Sequence, residues 1–243
     1  MRRSNAYTIF FAGLVCLICS ALLTLVSFGL RDRQDLNKEI ERKKNVLKVI
    51  GVDDLLAKAE GEGTKAIMEL YANRVKEVVI DTKGEIIEGL TPENIKSPQE
   101  ELSVYVSVDG DAVTGYVIPI EGPGLWSTLY GYFSMENDLN TVKGITFYEH
   151  GETPGLGGEI EKPWFQQNFV GKKIFGEDGQ LRSVTVVKGK AKEVISNEAE
   201  RKYYVDGISG ATMTSTAVTD LLKSSLDKYN PYIATVRNGR EVL

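Results

Sequence analysis

The spacing of hydrophobic residues changes along this chain, and each change marks an element. From Ser4 to Leu30 there is no charged side chain, and the apolar run Tyr7 to Leu30 is 24 residues long. That is enough helix to cross a hydrocarbon core of roughly 30 Å. A cleaved signal peptide has a shorter apolar region and a small-residue exit, which this run lacks. A lipoprotein signal needs small residues before a cysteine, whereas Leu14-Val15 precede Cys16 and Leu17-Ile18 precede Cys19. The pattern therefore predicts a membrane anchor over 1–30.

After the span, Leu36, Ile40, Leu47 and Ile50 recur at helical spacing among charges, which predicts an amphipathic helix over Arg31 to Val49. A second helical pattern covers Gly51 to Tyr71, broken by Gly61-Glu62-Gly63. A β-rich run, Val75 to Ile80, and a linker with Pro92 and Pro98 follow. The period then shifts to two. Val104, Val106 and Val108 alternate with Ser103, Tyr105 and Ser107, and Asp109-Gly110-Asp111 turns the chain into Ala112 to Ile120, the signature of a hairpin. Further strands are expected at Thr128 to Ser134, Val142 to Glu149 and Leu181 to Val187. A short helix is expected near Trp164 to Phe169 and a long one over Met213 to Tyr229, where Val218, Leu221, Leu222 and Tyr229 share a face. The predicted fold class is α+β, a single N-terminal transmembrane helix followed by a mainly antiparallel domain with flanking helices. Its divisions are 1–30, 31–98 and 99–243.

Composition narrows the function. A chain of 243 residues with net charge −5 and pI near 5.2 has no basic stripe for nucleic acid. Both cysteines lie in the span, so the rest of the chain has no thiol for a disulfide or a thiolate-bound cluster, and one histidine does not make a transition-metal site. Topology from charge is ambiguous. Two basic residues (Arg2, Arg3) precede the span and six (Arg31, Arg33, Lys38, Arg42, Lys43, Lys44) follow within fifteen residues. Counted naively, this keeps the domain inside, but the rule weakens when a long domain follows.

Three glycine-rich stretches carry the candidate chemistry. Asp206-Gly207-Ile208-Ser209-Gly210-Ala211-Thr212 sets a hydroxyl after a small-residue turn and before the long helix. The free N–H groups at such a helix start stabilise a phosphate by roughly 0.3–2 kcal/mol. The plainer alternative is that Thr212 or Thr214 only caps the helix. Glu121 to Ser127 and His150 to Glu159 form two more loops, without a nucleotide fingerprint, that let a flat ligand approach the backbone beside Trp126. A lone His150 is expected at the surface or as a cap. Glu149, Glu152, Glu159 and Glu161 form a charge run, which is usually a solvated edge. No Ser/His/Asp signature is present, and no catalytic residue is assigned.

Taken together, Asp206-x-x-Ser209-Gly210-Ala211-Thr212 matches the D-x-x-[ST]-G-A-T flavinylation motif. With Gly122-Pro123-Gly124-Leu125-Trp126, Glu152-Thr153-Pro154-Gly155-Leu156-Gly157 and one N-terminal span, the chain resembles the C-subunit family of Na⁺-translocating NADH:quinone oxidoreductases over nearly its whole length. The 31–100 stretch contributes little to the likeness. The resemblance implies FMN bound covalently to Thr212 through a phosphoester, with 99–243 as the FMN-binding domain. It also implies a bacterial inner-membrane location with the domain on the periplasmic face, against the naive charge count.

On this reading the N–H groups around Ala211 to Ser215 and the Thr214 hydroxyl hold the phosphodiester. The flavin ring lies against Thr153 to Gly158, with Leu156 and Trp126 as apolar contacts. Implied partners are the other subunits of the complex, a flavin transferase and the lipid bilayer. NADH oxidation and the ion path belong to those other subunits, because this chain has no dinucleotide fingerprint and no charge within its span. Two alternatives remain open at this point. One is the G subunit of an Rnf-type ferredoxin:NAD⁺ complex, which carries the same motif; the other is a membrane-anchored binding or sensory module without redox function.

Overall fold

The computed structural model describes residues 5–239. Arg2, Arg3 and Ser4 of the topology argument lie outside the described residues. The chain folds as two compact units, one ending at Arg42 and the other beginning at Lys43.

The first unit is helical. Helix α1, Asn5–Val49, is continuous, so the span and the amphipathic helix expected after it share one element. No proline interrupts it, and its segment Ala6–Arg31 is long and apolar enough to cross a bilayer.

The second unit starts with the last turns of α1 and with helices α2 (Asp53–Glu62) and α3 (Thr64–Arg74). Gly63 separates the two at a φ of 104°, a conformation that side chains with a Cβ rarely adopt. Five strands follow: β1 (Val75–Asp81), β2 (Glu101–Asp109), β3 (Ala112–Pro123), β4 (Thr128–Glu136) and β5 (Val142–Glu149). They form one antiparallel sheet in sequence order. Because β1 pairs along β2, with Val78 opposite Val104, the sheet draws on residues both before and after position 99.

One sheet face carries Val78, Val104, Val106, Ile118, Ile120, Phe133 and Ile145, and helix α6 (Thr212–Arg237) packs on it through Val218, Leu221, Leu222, Leu226 and Ile233. The opposite face holds a chain of rings. Tyr105 meets Tyr132 edge-on, and Tyr132 stacks on Tyr148 with centroids 5.3 Å apart. The 43–74 segment shields this face: the Tyr71 hydroxyl donates to Glu77 at 2.7 Å, and a Cβ on Gly144 would lie 2.9 Å from the Val49 carbonyl. Covering on both sides explains why Ser107 is buried although its alternation with valines suggests an open face. Its hydroxyl is paired with Thr114 at 2.8 Å.

The β2–β3 hairpin, β4, β5 and the short helix form where the pattern predicts them, the last as α4 (Pro163–Gln166) continued by a 3-10 turn, Gln167–Phe169. Two expectations need correction. The strand expected at Leu181 to Val187 shrinks to β6, Thr185–Val186, paired in parallel with β7, Tyr204–Val205. Ser183 adopts a φ of 62°, which breaks the extended run. Between them lies the single turn α5, Ala191–Val194. The long helix passes the expected stop at Tyr229 and runs through Pro231 to Arg237. Burial of Tyr232 and Ile233 in the core favours continuing it. Asp227, whose carbonyl loses its partner at Pro231, is exposed and can be hydrated.

Two buried phenols make the fold sensitive to alkali. Burial pushes the Tyr229 and Tyr232 hydroxyls well above the ordinary tyrosine range. A group raised in the folded state stabilises fully below its unfolded pKa, about 10 for tyrosine, and that stability is lost as pH rises above it. Each pH unit beyond that point should cost up to about 1.4 kcal/mol per such tyrosine. In an alkaline titration, phenolate absorbance from these two residues should appear only together with loss of the far-ultraviolet helix signal.

Candidate functional site

The start of α6 is set by the turn before it. Asp206 Oδ1 accepts from the Ala191 N–H at 2.8 Å, and the Gly207 N–H donates to the Gly189 carbonyl at 2.8 Å, which pins the entry of the turn to α5 and the loop before it. Ile208 is buried in the core. Gly210 then adopts a φ of 76° and reverses the chain, Ala211 is buried, and Thr212 emerges exposed as the first helical residue. Ser209 is also exposed, in the turn itself. The Ser215 N–H bonds back to Ala211 O, whereas among the described residues the N–H groups of Thr212, Met213 and Thr214 have no protein partner. Three free donors and an outward hydroxyl thus meet at one point, the arrangement that binds anionic oxygens.

The loop after β3 is a tight turn in which the Gly124 N–H donates to Ser127 O at 2.8 Å. It presents Leu125 and Trp126 outward, the latter 71% exposed. The loop after β5 begins at His150, whose Nδ1 accepts from the Glu152 N–H at 3.2 Å and whose Nε2 lies 3.5 Å from Glu161. His150 therefore caps the loop, as expected. Thr153 O accepts from the Leu156 and Gly158 N–H groups, and Gly155 bends the tip with a φ of 76°. Leu156 is part-exposed, and its Cδ2 lies 3.0 Å from where a Cβ on Gly210 would stand. All three glycine stretches therefore converge on the helix start.

Glu152 joins them. The charge run was expected to be a solvated edge, and Glu149 and Glu161 are exposed, but Glu152 is only 4% exposed. Its Oε1 accepts from the Leu125 N–H (2.8 Å) and the Trp126 N–H (3.1 Å), and its Oε2 from the Thr214 hydroxyl (2.5 Å). Thr214 is accordingly buried and donates to Glu152 rather than toward a phosphate, so only its N–H faces the anion position expected of it. Gly157 is buried beside this pair. Asp206 and Thr153 shape the backbone, while Trp126, Leu156, Thr212 and the newly apparent Met213, 65% exposed, form the outer surface. Nothing in the local pattern sets Met213 apart from a helical surface residue.

Lys172 lies near the motif with its ammonium donating to Arg201 O at 2.9 Å. Burial pushes its pKa down, and the Asp206 carboxylate opposes that shift.

Packing at Gly157 is tight enough to test. A Cβ there would stand 2.6 Å from Glu152 Oε2. Gly157→Ala should therefore destabilise the unit by about 1–3 kcal/mol, measured by thermal unfolding, and reduce the yield of loaded protein.

Residues 124–227 match the model of the FMN-binding domain family. The fold and site thus define an FMN-binding domain carried behind an apolar helix long enough to span a membrane. The chain is 35% identical to the C subunit of the Na(+)-translocating NADH-quinone reductase of Vibrio campbellii, with 92% of each chain covered, and 31% identical to that of Pseudomonas aeruginosa, with 98% of each covered. The crystal structure of the same protein from Parabacteroides distasonis superposes with a TM-score of 0.69 at 34% identity, covering 84% of this chain and 96% of that one. Shewanella oneidensis NqrC gives 0.67 at 26%, covering 82% and 97%. The chain belongs to the C-subunit family of the Na⁺-translocating NADH-quinone reductases, which decides between the two electron-transport families left open by the motif.

Proposed function

We propose that this chain carries FMN bonded covalently to Thr212 Oγ1 through a phosphoester, and that it serves as an electron-carrying subunit of a membrane-bound, Na⁺-pumping NADH:quinone reductase. The observation that carries this reading is the exposed Thr212 hydroxyl at a helix start with three unpartnered N–H groups, with Leu156 against Gly210 and the Trp126 loop tied to the same helix turn through Glu152. A phosphodiester retains about one negative charge, and those donors with the helix dipole suit it. The surroundings also suit a tethered flat ring, since Trp126, Leu156 and Met213 expose apolar side chains beside glycine-rich backbone.

The flavin supplies one- and two-electron chemistry when bound. This chain's residues hold its phosphate, shape the surface beneath the ring and leave it accessible to electron partners. The flavin-carrying part is 99–243, with Asp206, Ser209, Gly210 and Ala211 shaping the attachment turn and Glu152, Thr153, Gly155, Leu156 and Gly157 the facing loop. NADH oxidation and Na⁺ passage belong to partner subunits. A flavin transferase installs the FMN, α1 crosses the bacterial inner membrane once, and the domain faces the periplasm.

Mass spectrometry of the full chain, coexpressed with a flavin transferase in a bacterial membrane, tests the core of the reading. The peptide containing Thr212 should carry the FMN-phosphoryl mass. Absence of that mass, or its location on another residue, would overturn the assignment.

A further inference from the structure

We infer that Glu152 is the positioning residue of the flavin site, a buried carboxylate that locks the Trp126 loop to the first turn of α6 without itself touching the cofactor. This rests on the flavin reading above. The two oxygens divide the work. Oε1 takes the Leu125 and Trp126 N–H groups of the β3–β4 turn, and Oε2 takes the hydroxyl of Thr214, two residues beyond the attachment threonine. All three partners are donors, the complement of an acceptor-only carboxylate. With three partners and 4% exposure, the carboxylate is spent inside the protein rather than presented to a ligand.

The glycines on either side support the same role. A Cβ on Gly124 would stand 2.7 Å from Oε1, and one on Gly157 would stand 2.6 Å from Oε2. Neither has a left-handed φ. Their lack of a side chain is therefore demanded by crowding rather than by backbone conformation: Glu152 shares the space at Gly124 with Leu129 and the Ser127 carbonyl, and at Gly157 with the Thr214 hydroxyl that it accepts from. One oxygen of the same side chain is thus among the atoms packed against a glycine in each loop. Removing that side chain leaves two part-buried N–H groups and a buried hydroxyl without this partner and frees the loop bearing Trp126 from the helix that carries the flavin.

Glutamine separates geometry from charge. Its carbonyl can accept both N–H groups while its amide donates to a rotated Thr214 hydroxyl, so Glu152→Gln keeps every contact and removes only the charge. Glu152→Ala removes both. The chain has two tryptophans, Trp126 and Trp164, so a Trp164→Phe background makes Trp126 the sole reporter.

In detergent-solubilised full chain without flavin, time-resolved anisotropy of Trp126 should show at least a twofold larger fast component in Glu152→Ala, and in Thr214→Val a smaller increase. Glu152→Gln should match the parent. In flavin-loaded protein, the visible circular dichroism of the FMN should fall by more than half in Glu152→Ala, with absorption maxima and midpoint potential unchanged in Glu152→Gln.

Unchanged anisotropy in Glu152→Ala overturns the proposal. So does a Glu152→Gln protein that behaves like the alanine variant, or one that shifts the flavin potential, since a charge or a direct contact would then be the active feature. If Glu152→Ala fails to fold, Thr214→Val and Glu152→Gln decide by the same criteria. Parent protein that never acquires flavin refutes the functional reading while leaving the anisotropy test intact.

Discussion

Thr212→Ala should abolish covalent flavin while leaving the fold almost unchanged. Thr212 is exposed at the first position of α6, so losing its hydroxyl and methyl removes no buried contact, and the cost should stay within about 0.5 kcal/mol. The loss of attachment should be complete because neighbouring hydroxyls are not free to substitute. Thr214 is buried and donates to Glu152. Ser215 is buried and accepts from the Ile208 N–H, and Thr216 donates back to Thr212 O. Ser209 is exposed but precedes the Gly210 reversal rather than standing on the first turn of α6. The denatured parent band should therefore fluoresce under ultraviolet light and the Thr212→Ala band should be dark, with thermal midpoints matching closely. A Thr212→Ala band that still fluoresces would mean that another residue bears the bond, and would remove the main support for the proposed function.

How much of the fold could be read in advance depended on whether local pattern or long-range packing decided each element. The β2–β3 hairpin was legible because alternating valines and an Asp-Gly turn specify it within a few residues. The Leu181 to Val187 run has a similar apolar pattern, yet only Thr185 and Val186 form a strand, with Leu181 making an isolated bridge to Phe175. The backbone turns at Ser183, where the Arg182 and Ser183 N–H groups both bond to Ile174 O instead of joining a ladder. Pro231 is a reasonable place to end a helix, and the helix continues because the next two side chains are buried. Propensity lost to tertiary burial in that case.

The site divides the same way. The attachment turn is contiguous in sequence, so its glycines, hydroxyls and following helix could be recognised together. Glu152 was not separable from Glu149, Glu159 and Glu161, because its partners are 26, 27 and 62 residues away. Only the folded chain shows that one of four similar carboxylates is buried, and that Thr214 is turned toward it. The glycines at 124 and 157 were visible, but the reason for them was not. They read as places for a ligand to approach the backbone, whereas in the structure a Cβ at either would meet Glu152 together with other protein atoms.

The largest effect on stability is expected at Phe133. This residue is fully buried at the middle of β4, with Ile118 of β3 opposite on one side and Ile145 of β5 on the other, in the cluster that includes Leu221 and Leu222 of α6. Phe133→Ala removes a ring from between two hydrogen-bonded strands that cannot move together to close the gap, because both ladders fix their spacing. The cost should be about 3–5 kcal/mol, the transfer free energy of the ring plus that of an unfilled cavity. For a unit of this size each kcal/mol lowers the midpoint by roughly 2–4 °C, so the midpoint should fall by about 6–20 °C. Far-ultraviolet circular dichroism of the full chain in detergent would measure this. Well below the transition, the variant should still accept flavin at Thr212, because the hydrogen bonds that pin Asp206 and Glu152 involve no residue of β4. A loss of less than about 1 kcal/mol would show that the sheet and α6 can close over the missing ring, against the rigid two-sided packing described for β4.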